Sequence, residues 1–146
     1  MSGSILGNRV LRKEDPKFLT TGGQYVDDLL SEPLLTGAAF VTYVRSTVAH
    51  GRILSIETSF AESMDGVIAV FTADSLGLQP EKATYNPAAK RTLLASDKVR
   101  FVGEPLAAIV TERPEQGEDA AEQVIVEYDI LEAVIDIEGA MTTDTL

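Results

Sequence analysis

The sequence predicts an α+β fold built on a mixed, mostly antiparallel sheet with two or more short helices. Three observations carry this expectation. Short runs rich in β-branched and aromatic residues recur along the chain, and those at 51–59 and 124–131 alternate with period 2. Helix start and stop signals fall between some of these runs but not between all. The resulting order (arm, β, β, α, β, loop, β, β, α, β) lacks the strict strand–helix alternation of a doubly wound sheet.

The whole chain reads as one domain, with residues 1–33 an N-terminal arm, 34–141 the core and 142–146 a tail. In the arm, Asp15-Pro16 supplies a cap and a proline at the first helical position, so a short helix is expected over 15–20, ended by Gly22-Gly23. "LLTGAAFVTYVRS" (34–46) reads as a largely buried strand. "GRILSIETS" (51–59) sets Ile53, Ser55 and Glu57 against Leu54, Ile56 and Thr58, the pattern of a half-exposed strand. Ser59 caps a predicted helix over 59–66 that Gly66 stops, and "VIAVFT" (67–72) is a third strand. Thr72 to Gly77 reads as a capped helical turn, and residues 77–92, with two prolines, form the longest loop.

Strands resume at 98–102 and 106–112, on either side of a Gly103-Glu104-Pro105 turn. Pro114 and the acids after it start a helix over 113–124, in which Gly117 is a weak point. "VIVEYDIL" (124–131) is a strand with one wet face, and "AVIDIEGAM" closes the core as a short strand or turn.

Composition narrows the function classes. The 146 residues are 45% hydrophobic and 24% charged, which is globular and long enough to bury a core. Twenty-three acids against 12 bases give a net charge of −11, which opposes nucleic-acid and anionic-membrane binding. The nearest approach to a basic cluster is Arg9, Arg12 and Lys13. There is no cysteine, so this chain offers no disulfide, thiolate metal site, iron–sulfur ligand or cysteine nucleophile, in keeping with a cytoplasmic protein. No secretory signal and no run long enough to span a bilayer is present.

Few side chains offer chemistry. His50 is the only histidine and lies beside Gly51, without the partners a triad or a histidine metal site needs; it reads as bonded to backbone at a strand end. Asp27 and Asp28 are adjacent, so on an extended chain they point to opposite faces. Glu112, Glu115, Glu118, Asp119 and Glu122 gather around a helix start, with Glu115, Asp119 and Glu122 on one wet face. No phosphate loop, dinucleotide glycine pattern, EF-hand loop or HExxH helix occurs, and Gly22-Gly23 is too little for a phosphate cradle. Glu104 remains. A catalytic glutamate needs burial or a charged neighbour and a partner group, and the sequence nearby supplies only Arg100. Glu104 therefore reads as capping the turn, and no catalytic, cofactor-binding or metal residue is expected in this chain.

Four stretches fall in one order: "LRKEDPKFLTTGGQYVDDL", "AHGRILSIETSFAESMDGVIAVFTADSL", "VRFVGEPLAAIVTE" and "DAAEQVIVEYDILEAVIDIEGAM". Together, from about Gly7 to Met141, they resemble the a/b hammerhead domain of the molybdenum-hydroxylase large subunit, the aldehyde oxidase, xanthine dehydrogenase and carbon monoxide dehydrogenase group. The resemblance implies an α/β hammerhead fold, and a parent enzyme that uses a molybdopterin centre, two [2Fe–2S] clusters and FAD. It carries over no site residue, because the pterin loops and catalytic glutamate of that family lie in the domains beyond the hammerhead. Here "TTGG" and "STVAHGRI" depart slightly from the usual pattern.

Two functions follow as expectations. In the first, the chain is a non-catalytic component or split subunit that scaffolds the molybdenum-binding domains, beside iron–sulfur and FAD subunits. Cut from such neighbours it should expose an apolar patch and self-associate or bind a partner. In the second it is a stand-alone binding module that uses the 77–92 loop.

Overall fold

The computed structural model describes residues 12–23, 25–82 and 90–142. The chain divides into two compact units, Met1–Ala38 and Ala39–Leu146. In the first, helix α1 (Asp15–Thr20) occupies the expected span, with Pro16 in its first turn. Two 3-10 turns, Val26–Ser31 and Pro33–Leu35, follow it. No described side chain of this unit is buried.

The second unit runs β1 (Phe40–Arg45), β2 (Gly51–Glu57), α2 (Ser59–Glu62), β3 (Val67–Thr72), β4 (Glu81–Lys82), β5 (Lys90–Arg91), β6 (Lys98–Val99), β7 (Pro105–Thr111), α3 (Pro114–Ala121), β8 (Ile125–Ile130) and α4 (Ile137–Ala140). Two three-stranded sheets result, ordered β1-β7-β3 and β6-β2-β8, with β4 and β5 as a separate ribbon. Every pairing among the described residues is antiparallel.

Several elements are shorter than the sequence suggests, each for a local reason. The strand expected from residue 34 starts at Phe40, because Pro33 opens a 3-10 turn and Gly37 takes φ 77°. The strand expected over 98–102 stops at Val99, where the next backbone N–H, that of Arg100, is captured by the Glu104 side chain. The helix expected to Gly66 is the single turn α2; Gly66, at φ 77°, leads straight into β3. Of the strand or turn expected for "AVIDIEGAM", the structure has the helical turn α4, because Asp136 Oδ1 accepts from the Gly139 N–H at 2.6 Å and caps it.

Two bulges decide which side chains face inward. In β2 the register shifts between Ile53 and Ser55, so Leu54 turns out to 65% exposure and both Ile53 and Ile56 turn in. In β7, Val44 pairs with Ala107 but Arg45 with Pro105, leaving Leu106 as the extra residue. The core divides accordingly. Ala107 and Ile109 pack with Val44, Ala61 and Ala120, between the first sheet and helices α2 and α3. Leu106, one residue away, packs with Ala95 and Val99 against Ile53, Ile56, Val126 and Tyr128 of the second sheet.

Gly117 is a fitting point rather than a weak one. A Cβ there would lie 2.9 Å from Thr42 Cβ and overlap Thr42 Oγ1, so α3 sits directly on β1. Thr42 Cβ is fixed to the strand backbone and cannot yield. Gly117→Ala is therefore expected to lower stability, an overpacking loss of about 1–3 kcal/mol outweighing a helix-propensity gain of about 1 kcal/mol. The urea midpoint measures the sign, and a rise would show that α3 can lift off the sheet without cost.

Candidate functional site

The Gly-Glu-Pro turn is held by several hydrogen bonds at once. Gly103 takes φ 92°, a conformation side chains disfavour, and reverses the chain between β6 and β7. Its N–H donates to Ser46 O at 2.8 Å, the Ser46 N–H donates to Glu104 O at 2.9 Å, and Arg45 Nη1 donates to Gly103 O at 2.9 Å. The turn is thus fastened to the end of β1, 58 residues earlier in the chain. Glu104 is 4% exposed; its Oε2 accepts from the Arg100 N–H at 2.6 Å, and Arg100 Nη1 lies 4.0 Å from Oε1. Arg100 also reaches Asp97 at 3.3 Å. A buried carboxylate held this way braces its own turn.

The other candidates are dispersed. His50 Nδ1 lies 2.7 Å from Glu132 O, and since a carbonyl only accepts, Nδ1 carries the proton. His50 O accepts from the Leu131 N–H at 3.0 Å, so this residue ties the end of β8 to the start of β2. Asp27 and Asp28 fall in the first 3-10 turn, where Asp28 Oδ2 accepts from the Tyr25 N–H at 2.8 Å. Glu115 pairs with Arg113 at 3.0 Å, while Glu112, Glu118, Asp119 and Glu122 are exposed. Gly22 and Gly23 close α1, Arg12 and Lys13 are exposed, and Arg9 lies outside the described residues. Of the 77–92 loop, residues 81–82 and 90–91 pair as the β4–β5 ribbon, and 83–89 lie outside the described residues. Among the described residues no group of three or more His, Cys, Asp or Glu could hold a metal ion. No described helix is long and apolar enough to cross a membrane.

Two features escaped the sequence. Arg45 stacks over the Tyr43 ring, 5.5 Å from its centroid, while holding Gly103; no local signal links residues so far apart. A shallow cleft of about 270 Å³ opens where the β2 bulge meets the end of β3 and Ala95-Ser96, and Asp74 is the only ionisable group in its lining.

Among the described residues two ionisations are displaced. Glu57 accepts from the Ser59 hydroxyl and, at 2.9 Å, from the Ser59 N–H, which together hold its carboxyl below the usual 4.5. Burial pushes the Tyr128 phenol above 10.0, partly offset by a hydrogen bond with Ser46. A folded-state pKa above the unfolded one means that Tyr128's contribution is complete below pH about 10 and is lost as pH rises through the higher, folded value. Tyr128→Phe is therefore expected to flatten the alkaline fall in melting temperature, and an identical fall in both proteins would show that another group causes it.

Paired antiparallel sheets with short helices packed on one of them define a small α+β domain of the hammerhead class. The chain belongs to the aldehyde oxidase and xanthine dehydrogenase a/b hammerhead family, whose model matches residues 20–132. It is 36% identical to the nicotine 6-hydroxylase large subunit of Paenarthrobacter nicotinovorans, over 91% of this chain and 16% of that protein. It is 37% identical to the carbon monoxide dehydrogenase large chain of Hydrogenophaga pseudoflava, over 93% of this chain and 17% of that one. Among solved structures, the carbon monoxide-reduced Cu,Mo-CO dehydrogenase superposes with a TM-score of 0.76 at 35% identity, covering 96% of this chain and 17% of its own. These relatives are oxidoreductases named as large subunits or chains, and the chain spans less than a fifth of their length.

Proposed function

We propose that this chain serves as a non-catalytic scaffold in a molybdenum-dependent hydroxylase or dehydrogenase of the aldehyde oxidase, xanthine dehydrogenase and CO dehydrogenase type. The observation that carries the reading is the match itself: nine-tenths of this chain align with about one-sixth of each large subunit. Residues 34–141 form the hammerhead core, 1–33 an arm and 142–146 a tail of the same domain. The chain supplies no catalytic, cofactor or metal ligand; the Glu104 carboxylate engaged with its own turn supports this. Molybdopterin, [2Fe–2S] and FAD belong to the parent complex, and without a cysteine this chain has no thiolate for the clusters. Its partners are the molybdenum-binding domain or subunit and, through it, iron–sulfur and FAD subunits in the cytoplasm.

The test is the size and molybdenum content of the species that carries this sequence in its own cells. Affinity isolation under native conditions is expected to give a large molybdenum-containing complex. A small metal-free species would overturn the scaffold reading and leave a free-standing binding module.

A further inference from the structure

The two sheets treat solvent differently. The second presents Arg52, Ser55, Glu57, Glu127 and Asp129 outward, with Ser55 Oγ donating to Glu127 Oε2 at 3.0 Å, so that charged and polar groups interrupt its exposed Leu54, Ile125 and Ile130. The first does not follow that pattern. Its inner face, with Thr42, Val44, Ala107 and Ile109, lies under α2 and α3. On the other face the register aligns Val41 with Val110 and Ala69, and Tyr43 with Ala108 and Phe71. No charged residue occurs among these six, although the chain is 24% charged. Val41 and Tyr43 remain 54% and 47% exposed.

The apolar surface continues past the strand end. Arg45 stacks on Tyr43 and holds Gly103 O, which places it beside the turn where Phe101 and Val102 are 44% and 64% exposed. The Glu104 carboxylate and the Ser46 backbone hold that turn rigid, so its two apolar side chains are presented in a fixed place. A rigid, uncharged patch with one cation at its edge is how a preorganised interface looks before it is covered.

We infer that the Val41, Tyr43 and Phe71 face, extended through Arg45 to the Phe101–Val102 tip, docks on the remainder of a molybdenum-hydroxylase large chain; this rests on the function proposed above. The occupant follows from two facts. Relatives carry the same domain within chains of which it is less than a fifth, so in them a much larger body is joined to it. A second copy is the poorer occupant, since each carries a net charge of −11 and two would bring like charge together.

The full 146-residue chain, tagged and expressed in its source cells, tests this. Wild-type chain is expected to capture a molybdenum-containing chain identified by mass spectrometry. Tyr43→Asp should reduce that capture at least about tenfold, as a central aromatic anchor does, while Glu127→Lys on the charged face of the second sheet retains it. Circular dichroism checks that each variant folds. Should Tyr43→Asp not fold, hydroxyl-radical footprinting of the wild-type complex replaces it, with Tyr43 and Phe101 protected relative to the free chain. Undiminished capture by folded Tyr43→Asp, or equal labelling of Tyr43 in free and bound chain, would overturn the surface and leave the scaffold role standing. A homodimer that Tyr43→Asp abolishes would keep the surface and overturn its occupant. A wild-type chain that captures no molybdenum protein and stays monomeric would overturn both.

Discussion

Leu106→Ala is expected to cost about 2–5 kcal/mol, the range for truncating a fully buried leucine, against a total of about 5–15 kcal/mol for an ordinary domain. Leu106 has no exposed surface, and it is the residue the β7 bulge turns towards the second sheet while Ala107 and Ile109 pack under the helices. A cavity at this point therefore weakens the seam between two cores rather than the edge of one. Leu54→Ala is the matched control: that side chain is 65% exposed, and its loss should stay within about 0.5 kcal/mol. Urea melts give the magnitudes. Hydrogen exchange gives the coupling, because amides of β3 and β2 should lose protection together. If only β2 and β8 loosen, the two sheets fold independently, and the account of Leu106 as the link between β7 and the second sheet fails.

Glu104→Ala is expected to cost about 1.5–3 kcal/mol, the scale for removing a charged acceptor from a buried hydrogen bond. The Arg100 N–H would lose the partner it holds at 2.6 Å, and the turn that locks Ser46 and Gly103 together would lose its inner support. Glu104→Gln keeps an acceptor of the same shape and should lose less. Arg100→Ala removes only the 4.0 Å approach of the guanidinium and the partly exposed pair with Asp97, which is worth at most about 1 kcal/mol, since the backbone donor remains. The expected order of loss is therefore Ala, Gln, then Arg100→Ala. Equal losses for Ala and Gln would mean that the negative charge, and not the hydrogen bond, secures the turn.

Much of this architecture is written in short-range signals. β3 matches its expected span because an unbroken apolar run is bounded by Gly66 and a Thr72–Ser75 turn, whose hydroxyls bond back to the chain. The span of α1 is legible from Pro16, although Asp15 is its first residue rather than its cap, and Glu14 at the cap position makes no side-chain cap bond. The hammerhead likeness is legible because four motifs keep their order over nearly the whole chain. What is hidden depends on partners distant in sequence. Strict alternation put Leu54 and Ile56 on one face, and only pairing with β8 reveals the bulge that separates them. Gly117 reads as a helix flaw until Thr42 is seen against it. The strand at 40–45 is apolar on both faces and so reads as buried on both; which face the helices take, and which stays bare, is a tertiary outcome.

The long reach of the strand pairs has a consequence for synthesis. β1 and β3 both wait for β7, and β2 waits for β6 and then β8. The first sheet cannot close until Thr111 has left the ribosome, and the second cannot finish until Ile130 has. For most of its translation the nascent chain therefore carries finished strands with open edges and no partner, and its folding should run in the slow regime of about milliseconds to seconds that non-local β pairing sets. The interval in which "FVTYVR" and "VIAVFT" stand without their β7 partner is thus built into the strand order.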